Sequence, residues 1–209
     1  MSWLDKIGST IFPLASDERR AEARCKAEEL ARTSPWLAQI VAHHKAIEQC
    51  FADALSATGV DARRHAMKEL ARLNTGHSIA EEVTVYPALV EHNGVIGGKI
   101  QATLAYEEQQ MTKIQQAMLE QLDPMSEEWR AKLEHIQSAV QQHVYEEENH
   151  RFAELAEALS PAEGARLSRR YAEEFERYGA DGTSEEASAP LQMAAQESDA
   201  GSSAPHSGT

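Results

Sequence analysis

Residues 76–89, GHSIAEEVTVYPAL, and residues 142–155, QHVYEEENHRFAEL, are two versions of one pattern. In each, a histidine precedes a pair of glutamates by four residues, an aromatic residue lies four positions beyond the pair, and a leucine follows three residues later. Residues four apart share one face of an α-helix. The repeat therefore predicts two helices that are counterparts across a bundle, each with a histidine and a glutamate facing inward.

The rest of the chain has the same helical periodicity. Apolar residues recur at spacings of three and four, and no strand-length run alternates between β-branched and polar residues. Proline, glycine and capping residues place the helix boundaries. These are Ser34-Pro35 and Gly59 for the first helix, Asp61 as the cap of the second, Asp123-Pro124 for the end of the third, Ser126 for the start of the fourth, and a Ser160/Glu163 capping box for a fifth helix that ends near Tyr178.

Each of the first four helices has an apolar stripe, and we expect these stripes to form the core. They are Leu37, Ile40, Val41, Ile47, Phe51 and Leu55; Leu70, Leu73 and Val85; Ile100, Leu104, Met111, Ile114, Met118 and Leu122; and Leu133, Ile136, Val140, Val144 and Leu155. Helices of about 20 to 30 residues with short connections predict an all-α, up-down-up-down four-helix bundle over residues 36–159.

Three further segments flank this bundle. Residues 1–35 form a predicted helical extension, in which Trp3, Leu4, Ile7 and Ile11 make an amphipathic stripe. Because no basic face accompanies it, we expect it to pack on the bundle rather than on a membrane. Residues 160–179 form a packing helix, and residues 180–209, acidic and poor in large apolar side chains, form a predicted disordered tail.

Composition restricts the partners and the compartment. The 209 residues include 20 Lys and Arg against 34 Asp and Glu, a net charge of −14, which argues against nucleic acid and anionic membranes as partners. No stretch has the pattern of a signal peptide or a membrane span, and Cys25 and Cys50 form no disulfide or zinc-finger pattern. We therefore expect a cytoplasmic protein, whose protein partner, if it has one, is not identified by its sequence.

Histidine and glutamate occur four residues apart more often than chance predicts. Nine histidines should give about 1.5 such pairs at this acid content, and the chain has five. These are His44/Glu48, His65/Glu69, His77/Glu81, His143/Glu147 and His150/Glu154. On one helix face such pairs are the usual way to offer two ligands to a metal ion.

Position on the helix separates interior pairs from surface pairs. The residues that continue the inner stripes are His44, His77, Glu81, His143 and Glu147. His43 is rotated about 100° from His44 and points elsewhere, and His65 is expected at the surface. His150 lies at the edge of the inner face, and its role stays open. In the third helix, Glu107-Glu108 interrupts the apolar stripe, so at least one of these carboxylates should face inward.

A metal ion accounts for several ionisable groups in one core. Burial of uncompensated charges costs several kcal/mol each, and a divalent cation removes that cost. Imidazole and carboxylate ligands suit iron, with manganese or zinc as alternatives, and bridging carboxylates favour two ions over one. The sequence offers no phosphate-binding loop or nucleophile motif that would indicate an organic substrate.

These residues resemble the hemerythrin-like HHE cation-binding family over about residues 36–159. The resemblance implies a non-heme di-iron centre held by His44, His77, Glu81, His143 and Glu147, and reaction with O2, peroxide or NO. The family has a histidine on the third helix, where this chain has Glu108, with Glu107 as the alternative ligand. The alternatives for function are a non-catalytic module that senses or stores O2, NO or iron, and a structural zinc-binding bundle.

Overall fold

The computed structural model describes residues 14–92 and 97–179, and within these ranges the chain is helical and contains no strand. None of the described helices is both long and apolar enough to cross a membrane. The predicted N-terminal stripe and the predicted disordered tail lie outside the described residues. The elements are α1 (Asp17–Ala31), α2 (Pro35–Ser56), α3 (Val60–Ala80), π1 (Glu81–Val85), α4 (Tyr86–His92), α5 (Lys99–Leu119), α6 (Glu127–Glu146), π2 (Glu147–Arg151), α7 (Phe152–Ala158) and α8 (Pro161–Gly179).

Most of the predicted helix starts are confirmed by their capping interactions. Pro35 is the first residue of α2 as predicted, although the side chain of Ser34 makes no capping hydrogen bond. The Ser126 hydroxyl accepts a hydrogen bond from the Trp129 N–H at 3.1 Å. Ser160 and Glu163 form the reciprocal capping box, with backbone N–H to side-chain distances of 2.9 and 3.3 Å.

The boundary between the first two predicted helices differs from our expectation. Helix α2 ends at Ser56 rather than at Gly59, and Asp61 lies in the first turn of α3 rather than at its cap. Gly59 precedes α3 with a φ of 101°. A residue with a Cβ rarely adopts that conformation, so the turn between the two helices requires a glycine at this position. Helix α3 begins one residue later, at Val60.

Two π-helical turns, which the sequence did not predict, interrupt the repeated motif at equivalent places. Each begins at the first glutamate of a pair, and the Tyr86 and Phe152 N–H groups donate to the carbonyls of Glu81 and Glu147, five residues earlier. Such turns insert one residue into a helix and are frequent at functional sites. Here both turns begin at inward-facing carboxylates and keep the following aromatic residue in the core.

The predicted inner stripes of α2, α3 and α6 are confirmed, apart from Leu55, which is half-buried. They form two apolar clusters. One contains Trp36, Leu37, Val85, Leu89 and Phe152, and the other contains Ile47, Phe51, Leu70, Trp129 and Leu133. Along α2, α3 and α6 the predicted histidines fall between residues of these stripes. The candidate site is therefore a polar layer between apolar ones.

The predicted inner face of the third helix, α5, is wrong. The apolar residues expected in the core, from Ile100 to Met118, are exposed, whereas the buried residues are Ala105, Gln109, Thr112, Gln115, Gln116 and Leu119. The polar face of α5 points inward because polar side chains of α3 and π1 lie opposite it and form hydrogen bonds with it. The Gln109 amide donates to Glu81 at 2.7 Å, and Gln116 accepts from Asn74 at 3.4 Å.

The flanking helices cover two sides of the core. Helix α1 packs on α2 and on π2, and α8 packs on α2, α3 and π1. Gly76 permits the close approach of α8, because a Cβ at this position would lie 2.8 Å from the Cα of Gly179. These contacts bring side chains of both flanking helices to the polar layer.

Candidate metal centre

Helices α2, α3 and α6, with the π turns that continue α3 and α6, bring four potential ligands into one buried cluster. His44, His77, Glu81 and Glu147 each offer a ligand atom, and these atoms lie within 4.8 Å of one another. All four residues are at most 2% exposed. Histidine nitrogen and carboxylate oxygen are donors typical of iron, manganese and zinc sites, so the cluster has the composition of a metal centre.

The carboxylates lie between the histidines. The two oxygens of Glu147 are each 3.3 Å from a histidine Nε2, Oε2 from His44 and Oε1 from His143. Glu81 is similarly placed, with Oε1 3.9 Å from His44 Nε2 and Oε2 3.4 Å from His77 Nε2. Each carboxylate therefore directs one oxygen to His44 and the other to the histidine of its own repeat.

A separate partner holds the outer nitrogen of each of these histidines. Nδ1 of His44 lies 2.8 Å from Glu148, Nδ1 of His77 lies 2.9 Å from the Tyr171 hydroxyl, and Nδ1 of His143 lies 2.7 Å from Glu108. Metal-binding histidines usually have such an outer partner, which fixes the ring orientation and leaves the other nitrogen free to bind the ion. All three Nε2 atoms thus face the carboxylates.

Four of the converging atoms have no hydrogen-bond partner although they are buried. They are His44 Nε2, His143 Nε2, Glu81 Oε1 and Glu147 Oε2. A buried polar atom without a partner costs about 1–3 kcal/mol, and here four occur in one layer. A cation bound between these atoms would satisfy them together, so the residues present fit a metal ion.

The comparison with known families agrees with this geometry. Residues 37–155, more than half of the chain and including all of the clustered ligands, match the family model of the Hemerythrin HHE cation binding domain. The chain belongs to this family. No curated protein and no solved structure matches it. The resemblance predicted from the two repeated motifs is therefore confirmed, and the buried cluster is the part of this HHE domain that can bind a cation.

The HHE domain carries opposing charges in its polar layer. Burial disfavours the charged form of His44, but the carboxylates of Glu147 and Glu148 outweigh burial and raise its pKa to about 10. Burial and the charge of Glu147 raise the pKa of Glu81 well above its usual value. The pKa of Glu147 is lowered because His143, His44 and Arg151 outweigh its burial. Without metal, the centre therefore holds a proton on His44 and a charge on Glu147.

Two tyrosines add hydroxyl groups to the layer. The Tyr86 hydroxyl donates to Glu147 Oε1 at 2.9 Å and lies 3.3 Å from Glu81 Oε2, and burial together with these carboxylates raises its pKa well above the usual value. Tyr171 of α8 bonds to His77 and also to His43, at 2.8 Å. His43 lies outside the four-residue cluster and reaches it through Tyr171.

The structure does not bring Glu108, the predicted ligand of the third helix, into the four-residue cluster. Its carboxylate, 40% exposed, bonds to His143 and lies 3.1 Å from Arg151. Burial raises its pKa, but His143 and Arg151 outweigh burial and bring the pKa to about 2. Glu107 is exposed, and Gln109 is the residue of α5 that reaches Glu81. Helix α5 therefore contacts the centre through hydrogen bonds to the ligands.

The other histidines of the described residues are away from the centre. His65 and His150 are exposed, and His150 contacts Asn149 rather than the ligands. His92 and His135 are half-buried and do not belong to the cluster. Four of the five residues chosen from the helical stripes form the cluster. The fifth, His143, contacts the cluster through its 3.3 Å approach to Glu147.

Sequence reasoning missed the residues that orient the ligands. Arg24 of α1 lies 2.7 Å from Glu148, which in turn holds His44, and Tyr171 comes from α8. The second glutamate of the repeated pair was a usable signal for Glu148. Neither Arg24 nor Tyr171 belongs to a motif, because each reaches the centre only through the packing of a flanking helix.

Proposed function

We propose that this HHE domain holds two non-heme iron ions and reacts with O2, peroxide or NO. The observation that carries the proposal is that the four carboxylate oxygens of Glu81 and Glu147 approach different histidines. His44 Nε2 faces one oxygen of each glutamate, and His77 and His143 face the other two. Two ions bridged by Glu81 and Glu147 would use all of these atoms.

The distances between ligand atoms support metal binding. Two atoms bound to one ion at about 2.1 Å, at angles of 90–109°, lie roughly 3.0–3.4 Å apart. Three of the four nitrogen–oxygen distances are 3.3–3.4 Å. Carboxylate bridges in a helical bundle favour iron over a single structural zinc ion. Bound iron would supply the electrons that reduce O2 or peroxide.

The residues around the ligands favour small reactants. A cavity beside the centre is narrow and lined by Asn74, Ser78, Gln109, Thr112 and His143 among others. The larger surface pockets, near Trp129 and near Arg24, do not include the clustered ligands. An organic substrate would not fit beside the centre, whereas a diatomic molecule or peroxide would. The Tyr86 hydroxyl holds a proton at the carboxylates, where a reduced oxygen species would need one.

The same proposal includes the finer features of fold and location. The up-down-up-down order of the bundle is supported by its short connections, which favour antiparallel neighbours. A cytoplasmic location is supported by the unpaired state of Cys25 and Cys50. The net charge of −14 supports the absence of nucleic acid and anionic membrane partners.

The test is to reconstitute the metal-free protein anaerobically with Fe(II), to count bound iron, and then to add O2, peroxide or NO separately while recording absorption and turnover. We expect two irons per chain, a new near-ultraviolet absorption on oxidation, and repeated consumption of one oxidant when an added chemical reductant returns the iron to Fe(II). Failure to retain iron, or one tightly held zinc without any spectral change, would overturn the di-iron proposal.

The same measurement distinguishes the alternatives. One stoichiometric oxidation, or a stable adduct without turnover, would assign the domain to sensing or storage rather than catalysis. A chelator provides the check on folding, since a buried metal stabilises the folded state. We expect chelation to lower the melting temperature near neutral pH, and an unchanged melting temperature would argue against any buried ion.

A further inference from the structure

The outer partner of His77 differs in chemistry from the partners of the other two histidines. Nδ1 of His44 and Nδ1 of His143 face carboxylates, and an ionised carboxylate can only accept a hydrogen bond. In its neutral form each of these two imidazoles must therefore carry its proton on Nδ1, which leaves Nε2 bare. The partner of His77 is the Tyr171 hydroxyl, and a hydroxyl can donate as well as accept. Tyr171 alone therefore does not fix the proton of His77.

The direction of the hydrogen bond between Tyr171 and His77 decides whether His77 can bind an ion. A neutral imidazole has one N–H and one bare nitrogen, and the bare nitrogen is the one that binds a metal. If Tyr171 donates to Nδ1 of His77, the imidazole proton is on Nε2, the nitrogen that faces Glu81. If Nδ1–H of His77 donates to Tyr171, Nε2 is bare. A bound ion requires the second arrangement.

His43 offers the hydrogen of this phenol another acceptor. Its Nδ1 lies 2.8 Å from the Tyr171 hydroxyl, which is 2.9 Å from Nδ1 of His77. Tyr171 is fully buried, and within residues 14–92 and 97–179 its hydroxyl has these two hydrogen-bond partners. A phenol has one hydrogen, so both bonds are satisfied when Tyr171 donates to one histidine and accepts from the other. A bare Nδ1 on His43 therefore favours a proton on Nδ1 of His77.

Helix α8 holds His43 in position for this contact. The rings of His43 and Phe175 stack with their centroids 3.9 Å apart and an angle of 24° between their planes. Phe175 and Tyr171 are four residues apart on α8 and share one face of it. One turn of α8 thus supplies both the phenol and the ring that orients the imidazole. The rotation of about 100° that keeps His43 out of the cluster brings it to α8 instead.

We propose that His43 is a positioning residue of the metal centre, which accepts the hydrogen of Tyr171 and thereby holds His77 with a proton on Nδ1 and a bare Nε2. The inference rests on the proposed function, because it assumes that His77 binds an ion. His44 and His143 need no such third group, since their outer partners are carboxylates. The centre therefore extends from its ligands through α8 to a half-buried histidine of α2.

The test measures the Fe(II) affinity of the full chain and the proton position on His77 without metal. His43→Leu and His43→Phe remove the acceptor, and the second keeps a ring beside Phe175. His43→Asn restores an acceptor, because an asparagine oxygen is as many bonds from the backbone as Nδ1. The matched control, Gln39→Leu, removes another contact between α2 and α8, that of Gln39 with Ser168.

Anaerobic competition with a chelator gives the affinity for Fe(II). Heteronuclear NMR of the histidine rings at about pH 8, above the ordinary histidine pKa of about 6.5, identifies the protonated nitrogen of His77. Circular dichroism shows which variants fold. Because two variants remove the acceptor, the test does not depend on the folding of either one alone.

We expect the metal-free parent to carry the His77 proton on Nδ1. His43→Leu and His43→Phe should move it to Nε2, because the phenol hydrogen then has only His77 as acceptor. Their Fe(II) affinity should fall about tenfold, the lower end of what the outer partners of metal ligands contribute. His43→Asn and Gln39→Leu should keep the proton on Nδ1 and an affinity close to that of the parent.

A double-mutant cycle with Tyr171→Phe separates this role from a merely structural one. Without the phenol His43 has nothing to act through, so His43→Leu should not change the affinity of Tyr171→Phe any further. An equal loss in both backgrounds, or a His77 proton that stays on Nδ1 in His43→Leu and His43→Phe, would overturn the proposal. A parent that retains no iron would contradict the proposed function instead, and the proton position without metal would still decide the role of His43.

Discussion

The two halves of the repeated motif place their ligands alike but surround them differently. In the first half, His77 Nε2 lies 3.4 Å from Glu81, and in the second, His143 Nε2 lies 3.3 Å from Glu147. Each half continues into a π turn that begins at its glutamate. Local sequence thus reproduces one histidine–carboxylate geometry twice.

The surroundings disfavour charge on the glutamate of the first half and favour charge on the glutamate of the second half. His77 is held by the phenol of Tyr171, and Glu81 receives the amide of Gln109. His143 is held instead by the carboxylate of Glu108, beside the guanidinium of Arg151. The pKa of Glu81 is accordingly raised and that of Glu147 lowered. The motif therefore fixes the positions of the histidine and glutamate side chains, and the neighbouring helices shift the pKa values of the two glutamates in opposite directions.

The second glutamate of each pair also takes a different role. Glu148 is buried and links His44 to Arg24, whereas Glu82 pairs with Lys113 at 2.7 Å outside the centre. The repeat is therefore asymmetric at the position that orients His44. The chain needs only one such carboxylate, because α2 supplies only one clustered histidine.

The largest expected effect tests what the two halves share. If both carboxylates bridge two ions, Glu81→Ala and Glu147→Ala should each reduce bound iron from two per chain to nearly none. His44→Ala should leave one ion, held by the histidines of the two repeats. Metal analysis after anaerobic reconstitution measures this, with Glu82→Ala as the matched control that retains both ions. Two irons retained in Glu147→Ala would show that the halves do not share their ligands.

A smaller effect should separate the two carboxylates in the metal-free protein. Glu147→Gln removes one of the two carboxylates closest to the charged His44 and leaves only Glu148 of that pair, so it should lower the free energy of unfolding by roughly 2 kcal/mol. Glu81→Gln replaces a carboxyl whose charge is disfavoured and should change it by about 1 kcal/mol or less. Urea unfolding with chelator near neutral pH gives both values. Equal losses of stability in the two variants would mean that charge on Glu81 and charge on Glu147 contribute equally to folding.

The smallest effect concerns the outer partners. In the metal-free protein, Glu108 has a pKa of about 2 against an unfolded value of 4.5. Its stabilising contribution is therefore complete above pH 4.5 and is lost as the pH falls toward 2. Because the side chain is 40% exposed, we expect only about 1 kcal/mol.

The matched pair of variants for this effect is Glu108→Gln and Tyr171→Phe. The first should flatten the acid limb of the stability curve, since it removes a group that titrates there. The second should lower stability without altering the slope of that limb, because the phenol stays protonated throughout. Thermal unfolding of the chelated proteins at several acidic pH values decides this, and identical slopes for parent and Glu108→Gln would contradict it.

The sequence by itself determined the helical class, most of the capping residues and the five histidine and glutamate side chains that face inward. These follow from local rules: positions four apart share a helix face, and Ser126, Ser160 and Glu163 satisfy the free N–H groups of the helices that they begin. The choice of His44 over His43 needed only the 100° between successive residues. The two motifs also carried the resemblance to the HHE family, which the family model confirms.

Only the tertiary structure decided the orientation of α5 and the outer partners of the histidines. Apolar periodicity predicted that Met111 and Ile114 face inward. Instead, Gln109 and Gln116 face inward, because they form hydrogen bonds with Glu81 and Asn74. Such a preference depends on which helix lies opposite, and no local pattern records it. Arg24 and Tyr171 reach the centre for the same reason, because helix packing brings together residues that are distant in sequence.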